Sequence, residues 1–216
     1  MEFEIQPKLK PGQDTASDQD LQRRVTQERL SIAYESMAPM FLAVFFAVAV
    51  VSAMVWTPAN SRLVSLWAAT TLLVAVYRLF TLRHFRKLNS ADREERATKL
   101  YRNYLFGAVL GGMNWGMLAV LLWDPSSSVL QALILLANAG MCSGAIVTLA
   151  AYGEASVAFI VMAMGLLGVR LIFQGGSEAY VMAGLAGVYL LLVGSYAIRA
   201  NRTLVQGLEM KLLRFR

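Results

Sequence analysis

The stretch MAPMFLAVFFAVAVVSAMVW, residues Met37–Trp56, contains no Asp, Glu, Lys or Arg. A helix needs about 20 predominantly apolar residues to cross the hydrocarbon of a bilayer, and this stretch is long enough. Its only proline, Pro39, lies in the first turn, where a helix tolerates proline. We therefore predict that Met37–Trp56 is a transmembrane helix.

Further stretches of the same kind follow along the chain. They are Leu63–Leu82, Tyr104–Trp123, Val129–Ala150, Ala155–Phe173 and Ala179–Ile198. Turn-forming residues separate them, for example Pro58 after the first span and Pro125 after the third. None of the stretches alternates polar and apolar residues as the strands of a membrane β-barrel do. The sequence thus predicts an all-α, polytopic membrane protein with six transmembrane helices.

The composition of the whole chain agrees with this fold class. Of its 216 residues 57% are hydrophobic and 16% are charged, and the mean hydropathy is +0.51. A soluble domain has about 25% charged residues, so the composition excludes an ordinary cytosolic protein as well as a disordered one. A single Cys and a single His exclude a disulfide framework and a His-based catalytic pair. We expect no metal, cofactor or catalytic residue in this segment.

Basic residues are concentrated in three regions that six spans place on one side of the membrane. These regions are residues 8–29, 83–102 and 199–216. Because cytoplasmic segments are enriched in Lys and Arg, we expect both termini to be cytoplasmic. The net charge of +6 then faces the membrane surface rather than a nucleic acid.

The same reasoning divides the chain into three parts. Residues 1–20 are polar and include Pro7, Pro11 and Gly12, which predicts a disordered cytoplasmic lead. Residues 21–198 form the six-helix membrane domain, which begins with a cytoplasmic helix that runs into the first span. Residues 199–216 form a cytoplasmic helix.

This last segment carries a heptad pattern. Ile198, Asn201, Val205, Leu208, Leu212 and Phe215 follow one another at alternating steps of three and four residues. Such spacing is that of the a and d positions of a coiled coil. Two interpretations remain open, an amphipathic helix on anionic lipid and a parallel dimeric connector helix that relays a signal. Since the pattern continues without a cap or breaker, we expect a cytoplasmic output domain to follow Arg216.

Several short motifs occur in a fixed order. They are Trp56-x-Pro58, Gly111-Gly112-Met113-Asn114-Trp115-Gly116, Ala139-Gly140-Met141-x-x-Gly144-Ala145, Arg170 at the end of the fifth span, and Leu212-Leu213-Arg214-Phe215. In these motifs and their order, residues 21–216 resemble the six-helix N-terminal sensory input domains of bacterial membrane signalling proteins. Those domains precede GGDEF-type diguanylate cyclases or histidine kinases. Such domains often have a proline in the fifth span, and this chain has none there.

The resemblance implies a sensory input and dimerisation domain in the bacterial inner membrane, without catalytic activity of its own. The last span would relay a signal to a diguanylate cyclase that makes c-di-GMP, which we prefer, or to the histidine kinase of a two-component system. The alternative is a small membrane transporter or permease subunit, although no predicted span is interrupted at its centre.

Polar residues within the spans are the candidate ligand-binding residues. Asn114 and Asn138 lie near the midpoints of the third and fourth spans, where they either hydrogen-bond each other or form the floor of a pocket. Trp115 would form a wall of that pocket. Cys142, one turn from Asn138, either lines it or is a buried inert thiol. The expected ligand is a small hydrophobic or amphipathic molecule.

Two arginines and the glycines complete the predictions. Arg170 either pairs with Glu178 at the outer surface or holds an anionic ligand headgroup. Arg78 lies one turn from the inner end of the second span, so we expect its side chain to snorkel to the lipid headgroups. The spacings Gly112-x3-Gly116 and Gly140-x3-Gly144 predict close approach between helices.

Overall fold

The structure is a computed structural model that describes residues 13–214. Within this range the chain forms eight helices and no strand. The helices are α1 Gln13–Glu35, α2 Met37–Val55, α3 Ser61–Lys87, α4 Ser90–Glu95, α5 Ala97–Leu122, α6 Ser128–Thr148, α7 Gly153–Gln174 and α8 Ser177–Arg214. The predicted all-α class is confirmed for the described residues.

Six helical segments are long and apolar enough to cross a membrane, as predicted. The first, Leu21–Val55, combines most of α1 with α2, and the others are α3, α5, α6, α7 and α8. Large apolar side chains remain exposed on these helices, such as Phe46 at 74% and Leu191 at 71%. Lipid would cover such surfaces in a bilayer. The fold is therefore compatible with a multi-pass membrane protein.

The helices extend beyond several of the predicted spans. α3 continues to Lys87, and α8 continues to Arg214 as one helix of 38 residues. α1 begins at Gln13, within the segment predicted to be a disordered lead, while residues 1–12 lie outside the described part of the chain. Only Ser36 separates α1 from α2, so the N-terminal helix does lead directly into the first apolar segment.

α5 and α7 form the centre of the bundle, with α3 packed on α5 and α8 packed on α7. Glycines on α5 permit this close contact. A Cβ at Gly112 would lie 2.3 Å from the carbonyl oxygen of Phe159, and one at Gly116 would lie 2.7 Å from that of Met162. The close helix approach predicted for this glycine pair is confirmed.

The second glycine pair behaves differently. A Cβ added at Gly140 or Gly144 would meet no atom within 4 Å. This face of α6 therefore makes no close helix contact within the described chain. The closest packing of α5 is with α7 and not with α6, its neighbour in sequence.

The turn between α6 and α7 is hydrogen-bonded to helices α1 and α5 at one end of the bundle. Ser36 donates a hydrogen bond of 2.8 Å to the carbonyl oxygen of Thr148, which also accepts from the Tyr104 hydroxyl at 3.3 Å. Arg29 Nε donates to the carbonyl oxygen of Ala151 at 3.1 Å. The turn thus connects the C-terminal half of α1 and the N-terminal part of α5 to the α6–α7 pair.

Candidate functional site: a cavity between three membrane helices

A cavity lies between α2, α3 and α5, and Met141 of α6 and Phe159 of α7 complete its wall. Its closed space is small, about 40 Å³, and the cavity is open to the surroundings. Its lining is apolar except for Thr71, Arg78 and Asn114. Apolar walls with a few polar groups are typical of small-molecule sites.

Asn114 joins α5 to α3 at one side of this cavity. Its Oδ1 accepts a hydrogen bond of 2.7 Å from the Thr70 hydroxyl, and its Nδ2 donates to the Thr71 hydroxyl. Its backbone carbonyl accepts from Trp67 Nε1 at 3.0 Å. Asn114 therefore lines the predicted pocket and also holds two helices together.

Trp115 lies beside Asn114 and forms part of the cavity wall, where the sequence analysis placed it. Its ring is only 2% exposed and packs edge-to-face against Trp67 with 5.4 Å between the ring centroids. Such aromatic pairs stabilise a fold beyond the area that they bury. The wall at this point is therefore rigid.

Asn138 and Cys142 do not line the cavity. Both are fully buried on α6, and Asn138 Nδ2 donates to the carbonyl oxygen of Ile134 in its own helix at 3.1 Å. Its Oδ1 has no hydrogen-bond partner. The expected hydrogen bond between Asn114 and Asn138 is not formed, because Asn114 pairs with α3 and the glycines of α5 draw that helix onto α7.

Arg170 also lies away from the cavity, near the C-terminal end of α7. No ion pair joins it to Glu178, which is exposed. Among the side chains that the structure describes, residues 21–214 without Pro39, the ion pair that forms is Arg23–Glu94, at 3.7 Å. The sequence-predicted site is thus divided. Asn114 and Trp115 come together at one cavity, whereas Asn138, Cys142 and Arg170 lie elsewhere.

Arg78 is the cavity residue whose role the sequence analysis missed. The expected snorkelling is wrong: the side chain is 6% exposed and turns into the bundle, where Nη1 lies 3.4 Å from the sulfur of Met40. Nε and Nη2 are buried and have no hydrogen-bond partner. In the sequence, Arg78 lies two turns after Thr71 and therefore on the same face of α3, the face that packs against α5. This spacing could have indicated that Arg78 is directed into the bundle.

The predicted connector residues lie on the C-terminal part of α8, and α8 packs against α1 as well as α7. Leu208 is buried, Val205 and Leu212 are partly buried, and Ile198 is 43% exposed; Phe215 lies outside the described residues. Leu212 shares a surface groove with Gln27 and Glu28 of α1. The heptad face of the single chain is therefore directed towards its own N-terminal helix.

The chain was compared with known proteins at three levels. No family model, no curated protein and no solved structure matches it. Within residues 13–214 no group of three or more His, Cys, Asp or Glu side chains is placed to hold a metal ion. The site is accordingly described by its own chemistry: an apolar cavity that contains one buried guanidinium.

Proposed function

We propose that the chain is the membrane-embedded sensory input and dimerisation domain of a bacterial signalling protein. It lies in the inner membrane with both termini in the cytoplasm. The connector helix passes a signal to a cytoplasmic output domain joined to α8, preferably a diguanylate cyclase and otherwise a histidine kinase. In this proposal the segment itself catalyses no reaction.

The observation that carries the proposal is the uninterrupted length of α8. Its 38 residues span about 57 Å at about 1.5 Å per residue, whereas the hydrocarbon of a bilayer is about 30 Å thick. Nearly half of the helix thus extends past the apolar layer, and this part carries Arg199, Arg202, Lys211 and Arg214. A continuous helix transmits a rotation or shift of its membrane part to whatever is attached beyond it.

The packing offers a route from the cavity to this helix. Phe159 of α7 forms part of the cavity wall, and α7 packs along α8. A ligand that changes the position of α7 changes the surface on which α8 rests. At the same end of α7 as Phe159, the turn that precedes the helix is hydrogen-bonded to α8 through Asn201. A movement of this end of α7 can therefore move α8.

The contact between α1 and α8 gives the relay two states. In the single chain α1 packs against α8, and Leu212 of the heptad face lies in a groove beside α1. Release of α1 frees this face for the same face of a second copy, which forms the parallel dimer seam. The signal then acts by shifting the balance between the intrachain contact and the dimer contact.

Disulfide crosslinking in membranes tests the seam. In a Cys142→Ala background, Leu208→Cys and Leu212→Cys should crosslink two copies more readily than Met210→Cys, whose position is 63% exposed on another face. Equal crosslinking at all three positions indicates an amphipathic surface helix instead. Ile198→Cys is a further seam position, at the membrane end.

Changes in connector length test the relay in the protein that carries the output domain. Deleting one residue between Gly207 and Lys211 rotates the following seam by about 100°, while inserting seven residues preserves its phase. The deletion should disrupt c-di-GMP synthesis or autophosphorylation, and the insertion should preserve it. Indifference to both changes contradicts the proposed relay.

A transporter or permease subunit is the second candidate, and the buried charge of Arg78 in a membrane cavity favours it. Labelling distinguishes the two functions. In the Cys142→Ala background, a cysteine at the cavity residue Ala75 would react with a membrane-impermeant thiol reagent from both sides in a transporter that alternates its access. In a sensor it reacts from one side at most.

A further inference from the structure

We infer that the cavity between α2, α3 and α5 binds an anionic amphiphile, a fatty acid or an anionic lipid, with its anionic group on Arg78 and an acyl chain along the apolar walls. This names the ligand class of the input domain and, for its signalling meaning, rests on the function proposed above. The binding itself is a property of the isolated chain and can be measured without an output domain.

Arg78 carries a buried positive charge that has no counter-charge among the described side chains. Arg78 is 6% exposed, and no ion pair to it forms among the described side chains, those of residues 21–214 other than Pro39. A buried charge without a partner is strongly unfavourable, and the penalty is relieved when an opposite charge and hydrogen-bond acceptors are supplied. Among the described side chains the guanidinium has no counter-charge, and its one hydrogen-bond acceptor is the sulfur of Met40. A bound anion would supply both a counter-charge and acceptors for Nε and Nη2.

Two of the three guanidinium nitrogens of Arg78 donate no hydrogen bond. Nη1 is directed at the sulfur of Met40, 3.4 Å away, while Nε and Nη2 have no partner. Nε and Nη2 lie along one edge of the planar guanidinium. That edge donates two parallel hydrogen bonds to the two oxygens of a carboxylate, which is the strongest geometry for such a pair.

A glycine on the neighbouring helix makes room for the guanidinium itself. A Cβ at Gly107 of α5 would lie 3.1 Å from Nε of Arg78 and 3.4 Å from its Cγ. Any larger side chain at this position would press on the guanidinium. The absence of a side chain there leaves the planar group its space between α3 and α5.

The rest of the cavity offers a ligand an apolar surface. Thr71 and Asn114 hydrogen-bond to each other, so their polar atoms are already partnered. Thr71 precedes Arg78 by seven residues, or about 10 Å along α3. Between these two points the wall consists of apolar side chains, such as Val74 and Phe41. A ligand with one anionic end and one acyl chain matches this lining better than a polar metabolite does.

The experiment uses the purified chain in phosphatidylcholine nanodiscs, with dodecanoate as the probe and dodecanol as its uncharged counterpart. Dodecanoate at about a hundredfold excess over its Kd should raise the thermal midpoint by about 5–10 °C, whereas dodecanol should not. Equal shifts with both probes, or no shift with dodecanoate and none with an anionic phospholipid, would overturn the inference.

Variants locate the site. Arg78→Met should abolish the dodecanoate shift, and its midpoint without probe should equal or exceed that of the wild type because an unpaired buried charge is removed. Arg83→Met removes an exposed charge from the same helix and should keep the full shift. A full shift in Arg78→Met would disprove the site. If Arg78→Met does not fold, Arg78→Lys tests the site instead. Lysine cannot donate two parallel hydrogen bonds to one carboxylate, so dodecanoate binding should weaken at least tenfold.

Replacing part of the phosphatidylcholine by phosphatidylglycerol distinguishes the source of the anion. A rise in the thermal midpoint that depends on Arg78 with phosphatidylglycerol, but not with dodecanoate, supports the same anion site and identifies a membrane lipid as its occupant. Failure of all these binding tests leaves the crosslinking and connector-length tests of the proposed function unaffected. The two proposals can therefore fail separately.

Discussion

Asn201 of α8 donates a hydrogen bond of 2.8 Å to the backbone carbonyl oxygen of Ala150, in the turn between α6 and α7. The same amide nitrogen lies 3.0 Å from the carbonyl oxygen of Ala151. Heptad spacing alone would direct Asn201 towards a partner helix in a dimer. The structure instead uses it as a tie within one chain, at the point where α8 leaves its apolar part.

This tie predicts the effect of removing it. Asn201→Ala leaves the carbonyl oxygen of Ala150 without this donor, while that of Ala151 keeps its hydrogen bond from Arg29. We expect the free energy of unfolding to fall by about 1–2 kcal/mol. Arg202→Ala changes the next, exposed residue and should stay within about 0.5 kcal/mol of the wild type. Denaturation in detergent measures both, and equal stabilities would show that the tie contributes nothing.

The two asparagines at the middle of α5 and α6 should respond differently to the same replacement. Asn114→Leu removes the hydrogen bonds to Thr70 and Thr71 and should lower stability by about 1 kcal/mol. Asn138→Leu removes an oxygen that has no partner, and should be neutral or stabilising. Thermal unfolding of the two variants side by side is the measurement. A larger loss for Asn138→Leu would contradict the assigned contacts.

Glycine-to-alanine replacements should separate the packed helix face from the open one. Gly112→Ala brings a methyl group to 2.3 Å from the carbonyl oxygen of Phe159, so α5 and α7 must move apart. We expect a loss of about 2 kcal/mol or more, seen as a lower thermal midpoint. Gly140→Ala meets no atom within 4 Å and should be neutral or raise stability by up to about 1 kcal/mol. Similar effects at both sites would contradict the α5–α7 contact.

Tyr152 provides a prediction about pH. It lies in the turn before α7, where burial raises the pKa of its phenol from 10.0 to about 12, and the guanidinium of Arg29, 4.7 Å from the ring centroid, partly opposes the rise. The folded state therefore holds this proton more tightly than the unfolded state does. The resulting stabilisation is complete below about pH 10 and is lost as the pH rises towards 12.

Denaturation at pH values from 9 to about 11.5 checks this, with Tyr152→Phe as the variant that has no phenol to ionise. The wild type should lose more stability over this interval than Tyr152→Phe. Tyr180→Phe, which alters a tyrosine that is 55% exposed on α8, should lose as much as the wild type. A Tyr152→Phe profile parallel to that of the wild type would disprove the assignment.

The sequence could predict the helices because the evidence for each is local. Met37–Trp56 is apolar over the length that a bilayer requires, and this is true whatever it packs against. The breaks near Pro58 and Pro125 are equally local, since proline disfavours a helix at any position after its first turn. Trp115 and Asn114 were identified as site residues for a related reason: large or polar side chains within an apolar helix need a protein partner.

Only the tertiary structure decided which residues meet. The chain order α5–α6 favoured a contact between Asn114 and Asn138, but Gly112 lets α5 approach α7 so closely that Asn114 faces α3 instead. Arg78 looked near enough to a helix end to reach the headgroups, yet its side chain fits the space beside Gly107. Periodicity defines a face of a helix. Which helix contacts that face depends on the packing of all the helices together, and a local sequence pattern does not determine this packing.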